Sequence, residues 1–429
     1  MTGRFWVLAS LISVLIFAGL ASQEEGLLAL ALPLLVFAGA GFLLAPGELR
    51  LKAERQMNLD RVSFGKELEV RLSVVNQGEN LQEVQIEDAV SPPLSGLEGA
   101  AGLLLPLPES SEAVLEYSVK GRRGKYEFHG AAVTARDPFD LFQAAVVVPA
   151  PAGAFIFPQV LPLARIPIRP RRTHGFAGPI PARRGGSGVD FYGVRAYQMG
   201  DTQRHLNWKR AARFEQELYT NEYEPETTGD VGIILDARER TNVRLPGDAL
   251  FEHSVKAAAS LANLFVQEGH PVGLLVYGAA LERVFPGYGM VQKERILRAL
   301  ARARTGVNFA MESLNRLPTR FFPPRSQLVI VSPLASADVA ALSQLLAQGY
   351  SVLILSPNPV EFEAQSHEPS PQVDLAVRLA QAERVLLLQR IRRLGVRVID
   401  WPVRSSLDDT VRAELARQPL HRPILEVRL

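Results

Sequence analysis

Three observations place this chain in the α/β class, with a β-rich domain and a membrane anchor in front of the α/β part. Two apolar runs without charge open the sequence, period-two alternation follows, and from about residue 230 short apolar runs alternate with helical periodicity. Four segments are expected: two transmembrane helices over 1–48, a β-sandwich over 49–150, a Pro/Arg-rich connector with a charged motif over 151–229, and an α/β domain over 230–429.

Phe5 to Ala21 and Gly26 to Ala45 carry no charged residue and are separated only by Ser22, Gln23, Glu24 and Glu25. At 1.5 Å per residue, about 20 helical residues cross a hydrocarbon core of roughly 30 Å. The pair therefore predicts a helical hairpin. A cleaved signal peptide followed by one anchor is the other reading, but no small-x-small site is followed by a polar mature start. Arg4 precedes the first run; Arg50, Lys52 and Arg55 follow the second; the loop between is acidic. The positive-inside rule then puts both ends in the cytoplasm.

Leu68-Glu69-Val70-Arg71-Leu72-Ser73-Val74 alternates strictly, and Val84-Gln85-Ile86, Ala113 to Val119, Tyr126-Glu127-Phe128 and Ala131 to Thr134 continue the pattern between turn signals. Short strands at this spacing predict an antiparallel sandwich. Asp137-Pro138-Phe139-Asp140-Leu141-Phe142 reads as a turn whose phenylalanines pack. Pro149 to Pro181 reads as an extended connector.

In the last segment Val231 to Asp236, Gln327 to Val331, Ser351 to Leu355 and Val396 to Ile399 are expected as buried strands. Asp248 to Gln267, Val291 to Arg302, Ser336 to Gln348 and Leu375 to Arg393 are expected helices, three of them followed closely by glycine. Pro271 to Tyr277 and Leu281 to Phe285 read as a hairpin around Gly278. The alternation predicts a mostly parallel sheet covered on both faces.

This order resembles the von Willebrand factor A fold. The resemblance implies a Mg²⁺ at the carboxyl ends of the strands, held by an Asp-x-Ser-x-Ser loop, a threonine and a later aspartate. Here the loop reads Asp236-Ala237-Arg238-Glu239-Arg240, with arginine at both serine positions. Val307, with Thr305 nearby, falls at the threonine, and Val331-Ser332-Pro333 ends the strand that should supply the acid. Two arginines beside a dication repel it, so Asp236 is expected to mark a degenerate site, paired with Arg238 or another arginine or capping the backbone that follows. No metal and no other cofactor is expected.

The connector ends in Gly185-Gly186-Ser187-Gly188, Asp190-Phe191, Arg195-Ala196-Tyr197, Gly200-Asp201, Arg204, Trp208-Lys209 and Ala212-Arg213. From Arg165 to Arg213 there are eleven Lys/Arg and two Asp, so this segment carries +9 in a chain of net charge +2. Six acids follow between Glu215 and Asp230. With Arg123-Gly124-Lys125-Tyr126, Asp137-Pro138-Phe139 and Phe285-Pro286-Gly287-Tyr288-Gly289, the motif resembles the "domain of unknown function 58" family of membrane-anchored bacterial proteins. Asp190 stands where the family usually has Glu. The resemblance implies a partner, a MoxR-type AAA+ ATPase.

No catalytic residue is assigned. Cysteine is absent, which excludes a disulfide framework and thiolate chemistry. Ser187 lacks the strand-turn-helix setting of a nucleophile elbow, the histidines lack His-Glu-x-x-His spacing, and no phosphate-binding P-loop occurs. The 185–188 glycines with Arg183 and Arg184 could cradle a phosphate, and His205 could be a base. Structural pairing of the motif's arginines with nearby acids, docking of a protein, and phosphate or nucleic-acid binding remain open in that order of preference. Trp208 is expected to anchor into the domain body, and with Tyr197 alone beside it nucleic acid is not expected as a partner. The chain thus reads as a non-enzymatic scaffold or adaptor at the bacterial inner membrane, its soluble domains cytoplasmic, touching lipid through the hairpin. The alternatives are a Mg²⁺-dependent adhesion-type domain and an enzyme acting on envelope precursors.

Overall fold

Both apolar runs are helices in the computed structural model: α1 (Gly3–Ser22) and α2 (Glu25–Leu43). Each is long and apolar enough to cross a membrane. Apolar side chains such as Trp6, Phe17, Leu32 and Phe42 stand exposed around them, which suits hydrocarbon and not water. The structure describes residues 1–91, 97–98, 102–168, 170, 180–181, 190–213, 218–224, 226–278, 280–308, 314, 318, 321–368 and 370–417. They divide into two compact units, Met1–Phe157 and Pro158–Leu429.

In the first unit the strands are β1 (Leu51–Met57), β2 (Arg61–Val62), β3 (Leu68–Asn76), β4 (Leu81–Ser91), β5 (Leu97–Glu98), β6 (Gly102–Leu107), β7 (Glu112–Val119), β8 (Gly124–Arg136) and β9 (Gln143–Ile156). They form two sheets, β1-β3-β7-β5 and β2-β9-β8-β4-β6. All the pairings are antiparallel except the short β2–β9 ladder. The alternation seen in sequence becomes burial: Leu68, Val70, Leu72 and Val74 from one sheet meet Val84, Ile86, Phe128 and Val133 from the other in one core.

The connector begins later than Pro149. β9 continues through that proline to Ile156, because a bulge opposite Gly130 absorbs it. A Cβ on Gly130 would lie 2.3 Å from the Val148 carbonyl oxygen, so only glycine permits the close approach.

The Asp137–Phe142 turn joins sandwich to hairpin. Asp137 is buried and accepts the backbone N–H groups of Phe139, Leu141 and Phe142 at 3.1, 2.7 and 2.6 Å. This holds Phe139 against Phe37 of α2, and Phe142 against Phe5 of α1 and Phe42 of α2. The Thr2 N–H and hydroxyl donate to the carbonyls of Leu141 and Asp140 respectively. The expected packing role of the two phenylalanines takes this particular form, seating the two apolar helices on the sandwich.

Arg55 departs from its expected place among the juxtamembrane cations. Its side chain is buried on β1 beside an equally buried Asp88, with its guanidinium 4.9 Å from the centre of the Phe128 ring. Tyr117 donates to the same carboxylate at 2.6 Å. Burial, and then the hydrogen bond to Asp88, push the Tyr117 hydroxyl well above its ordinary pKa.

The second unit contains β10 (Ile180–Pro181), β11 (Asp190–Ala196), α3 (Trp208–Ala211), β12 (Tyr219–Glu224), β13 (Glu226–Thr227), β14 (Val231–Ala237), β15 (Arg244–Leu245), β16 (Asp248–Ala249), α4 (Leu250–Gln267), β17 (Val272–Gly278), β18 (Leu281–Gly287) and α5 (Gly289–Arg302). After these come β19 (Gln327–Val331), α6 (Asp338–Ala347), β20 (Ser351–Pro357), α7 (Pro359–Glu363), α8 (Pro371–Arg393), β21 (Arg397–Trp401) and α9 (Leu407–Arg417). Its main sheet has the order β18-β17-β14-β19-β20-β21. It is parallel throughout except for the edge hairpin β17–β18.

The inner strands are apolar without alternation because helices cover both faces. Ile234, Ile330, Ile354 and Val398 share a core with Leu342 of α6 and Leu388 and Ile391 of α8, while α4 runs along β14, β17, β19 and β20. The first part of the connector is also docked on this unit. Leu161 N–H donates to Ser260 Oγ at 2.8 Å, the Pro167 carbonyl accepts from Arg397 at 2.9 Å, and Ile166 and Ile168 are buried.

Candidate functional site

Two places in the second unit hold the residues singled out in sequence. One is the carboxyl end of β14. Asp236, Asp338 and Ser332 are fully buried and Arg238 is 3% exposed. Asp236 Oδ1 accepts from the Arg238 backbone N–H at 3.1 Å and from its Nε at 2.8 Å; Oδ2 accepts from Arg238 Nη2 at 2.7 Å and from Ser332 Oγ at 2.6 Å. The other side of the guanidinium faces Asp338, with Nη1–Oδ1 and Nη2–Oδ2 both 2.9 Å. Asp338 Oδ2 also takes the Ala335 N–H at 2.9 Å. Burial opposes the charge on Arg238, but the hydrogen bonds to Asp236 and Asp338 outweigh it and raise the guanidinium above its ordinary pKa.

These residues do not fit a divalent cation. The guanidinium lies between the two carboxylates and uses both oxygens of each, in the fork geometry that suits arginine. Val307 is 65% exposed, and Thr305 Oγ1 accepts from Arg244 at 2.6 Å. The expected pairing of Asp236 with Arg238 is therefore present, along with backbone capping. Asp338, the second acid, was not foreseen. It lies in the first turn of α6, where an acid is ordinarily accounted for by the helix dipole, and nothing in its sequence neighbours signals burial.

The second place is the charged motif. Asp190, Phe191 and Arg195 lie on β11, which pairs antiparallel with β12. Arg195 donates to both oxygens of Asp201 at 2.7 and 2.8 Å and to Glu222 Oε1 at 2.7 Å. This closes the Gln198–Asp201 turn, in which Gly200 adopts φ +108°, a conformation that favours glycine. Arg195, and then the Gln198 N–H, hold the Asp201 carboxyl below its usual range, and Asp201 foremost raises Arg195. Tyr197 follows β11, its N–H donating to the Leu218 carbonyl at 2.8 Å.

The remaining motif residues do not share that pairing. Arg204, Lys209 and Arg213 are exposed, and no ion pair joins any of them to another described residue. Trp208, expected as an anchor, is 66% exposed, with Phe191 at 61%. Trp208 opens the one-turn helix α3, whose Asn207 cap accepts the Arg210 N–H at 3.0 Å. The 185–188 glycines, Ser187, Arg183 and Arg184 lie outside the described residues.

An acid–imidazole pair also escaped the sequence reading. His253 Nε2 is 2.9 Å from Asp248 Oδ2, across the start of α4. The ring packs edgewise near Phe362 and Trp401.

The fold and this geometry define a doubly covered α/β unit joined in sequence to a sandwich with two apolar helices. Residues 193–365 match the family described as "Protein of unknown function DUF58", a span that includes the motif from Arg195 to Arg213. The chain is also 26% identical over 381 residues to the "Uncharacterized protein YeaD" of Bacillus subtilis (strain 168), covering 86% of this chain and 87% of that protein. Among solved structures, the CARDB domain of a Pyrococcus furiosus protein is 18% identical at a TM-score of 0.19, covering 26% of this chain and 92% of that one. Proximal thread matrix protein 1 of the mussel byssus is 15% identical at 0.23, covering 32% and 41%. Likenesses of this size carry no argument about fold or function.

Proposed function

We propose that this chain is a membrane-anchored, non-enzymatic adaptor, with its sandwich and a von Willebrand factor A-like unit on the cytoplasmic face of a bacterial inner membrane. Its motif would dock a protein partner, a MoxR-type AAA+ ATPase or that ATPase's client. The observation that carries the reading is the division within the motif. Arg195 donates to both Asp201 and Glu222 and ties the ribbon together, while Phe191, Arg204, Trp208, Lys209 and Arg213 face outward. Exposed tryptophan beside arginine is the composition of interface hot spots. The A-type assignment is supported by the mostly parallel sheet with an antiparallel edge strand and by Asp236 at a strand's carboxyl end. The buried Arg238 fork argues against the Mg²⁺-dependent alternative, because the oxygens a dication would need are already engaged.

Pull-down of the full chain in detergent with the MoxR-type ATPase of the same organism tests the reading. Trp208→Ala is expected to weaken capture roughly 30-fold, the effect of losing a hot spot worth about 2 kcal/mol. Capture that persists at full strength with a folded Trp208→Ala, Arg213→Ala protein would remove the motif from the interface. No capture by the unaltered chain would remove the partner.

A further inference from the structure

The first unit contains a wide-open surface pocket of about 750 Å³ where the hairpin meets the sandwich. One wall is apolar: Val7, Leu8 and Leu11 of α1, Phe37 of α2 and Phe139 of the Asp137–Phe142 turn. Val7 and Leu11 are more than 45% exposed, so this wall is open and not sealed by protein. The other wall is basic, formed by Arg4 and Arg136.

Between these arginines stands Asp140, 3.2 Å from Arg4 Nη1 and 3.8 Å from Arg136 Nε. One carboxylate against two guanidinium groups leaves a charge of +1. The Arg136 Nε is buried without a hydrogen-bond partner, so Asp140 at 3.8 Å leaves that guanidinium incompletely satisfied. Asp140 is itself held in place: its backbone has φ +54° and its carbonyl accepts the Thr2 hydroxyl at 2.6 Å.

Position decides what kind of anion fits. Arg4 lies at the start of an apolar helix that is long enough to span a bilayer, at the level of lipid headgroups. From Arg4 to Leu11 the helix descends about 10 Å, and its cavity-facing residues along that length are apolar. A free polar anion would gain nothing from that wall. A molecule with one negative charge and a hydrocarbon tail would use both walls, as basic pockets beside membrane helices do with anionic lipids.

We propose that this cavity binds one anionic phospholipid, with its phosphodiester between Arg4 and Arg136 and an acyl chain along Val7, Leu8 and Leu11. The assignment rests on the membrane-spanning reading of the hairpin.

Native mass spectrometry of the full chain in mild detergent, supplied with phosphatidylglycerol or phosphatidylcholine, tests it. Phosphatidylglycerol should be retained in preference. The double variant Arg4→Gln, Arg136→Gln should reduce that retention roughly 25-fold, at about fivefold per cation. Asp140→Asn removes the competing carboxylate and should increase it, which keeps the test decisive if the double variant fails to fold. Arg50→Gln with Lys52→Gln removes equal charge outside the cavity and should change nothing. Equal retention of both lipids, or equal loss from the two double variants, would overturn the site. So would displacement of the lipid by inorganic phosphate alone. Membrane fractionation separates the underlying reading: a chain recovered in the soluble fraction without detergent refutes the anchor, whereas a membrane-bound chain without lipid preference refutes only the cavity.

Discussion

Arg238→Met removes the cation from a buried cluster and leaves Asp236 and Asp338, both fully buried, without their common partner. Methionine approximates the arginine stem in volume, so the change isolates charge and hydrogen bonding from packing. Deleting one partner of a buried ion pair costs about 3–5 kcal/mol, because the remaining charge stays desolvated. Ser332 Oγ, Thr241 Oγ1 and the Ala335 N–H still donate to the two carboxylates, but neutral donors do not replace a countercharge. At 1.4 kcal/mol per factor of ten, amides of β14 and β19 that exchange through opening of the sheet should exchange faster by roughly two to four orders of magnitude. Hydrogen-exchange mass spectrometry on the full chain in detergent reads this by segment, and amides of the sandwich serve as the internal reference. Adding Asp236→Asn and Asp338→Asn to the same variant should recover most of the protection, since neutral amides need no countercharge. Exchange of these strands within tenfold of the unaltered chain would refute the argument that the guanidinium is the countercharge these buried carboxylates require.

Three further outcomes follow from the same geometry. Burial first, and then the charge of Arg165, push the His270 imidazole down to about 4 from 6.5. The folded chain therefore refuses a proton that the unfolded chain accepts: stability is full above pH 6.5 and falls as pH drops toward 4, by at most about 3 kcal/mol. Thermal melts of His270→Gln should lose that part of the acid dependence, and an unchanged profile would remove His270 from the account. Arg55→Met should destabilise the sandwich by about 3–5 kcal/mol and leave exchange in β14 and β19 unchanged, with Asp88→Asn restoring part of the loss; protection of β3 and β7 equal to the unaltered chain would contradict it. Trp208→Ala should shift the melting of the second unit by no more than the ~0.5 kcal/mol usual for exposed positions, so that any loss of capture reports on docking; marked destabilisation would return Trp208 to an anchoring role.

Much of the architecture is legible in the sequence. Strand Gln327–Val331 has the bounds its apolar run predicts, and α8 extends the expected Leu375–Arg393 helix back only to Pro371, where Ser370 caps it through the Val373 N–H. Such elements are announced by local chemistry: periodicity, a cap, a following glycine. The pairing of Asp236 with Arg238 was legible for the same reason, two residues being enough separation for a turn to close. The bulge that carries β9 through Pro149 was not, because a proline is tolerated there only through Gly130 on the neighbouring strand.

The sequence by itself determined the two apolar helices, the alternating strands, the succession of apolar strands and helices, and the conflict between Arg238 and a metal, since each depends on residues close together in the chain. Tertiary structure alone decided what the charged residues do. Arg55 and Arg195 found acids, the first in the sandwich core and the second on a partly exposed ribbon, whereas Arg204, Lys209 and Arg213 kept an outward place. Asp338 joined Arg238 across one hundred residues of chain, and Arg136 came beside Arg4 at the foot of the hairpin. The physical reason is that a charge is inexpensive wherever water or a countercharge reaches it. Composition therefore constrains its surroundings weakly, and only the packing of distant segments settles whether a given arginine holds the fold together or faces a partner.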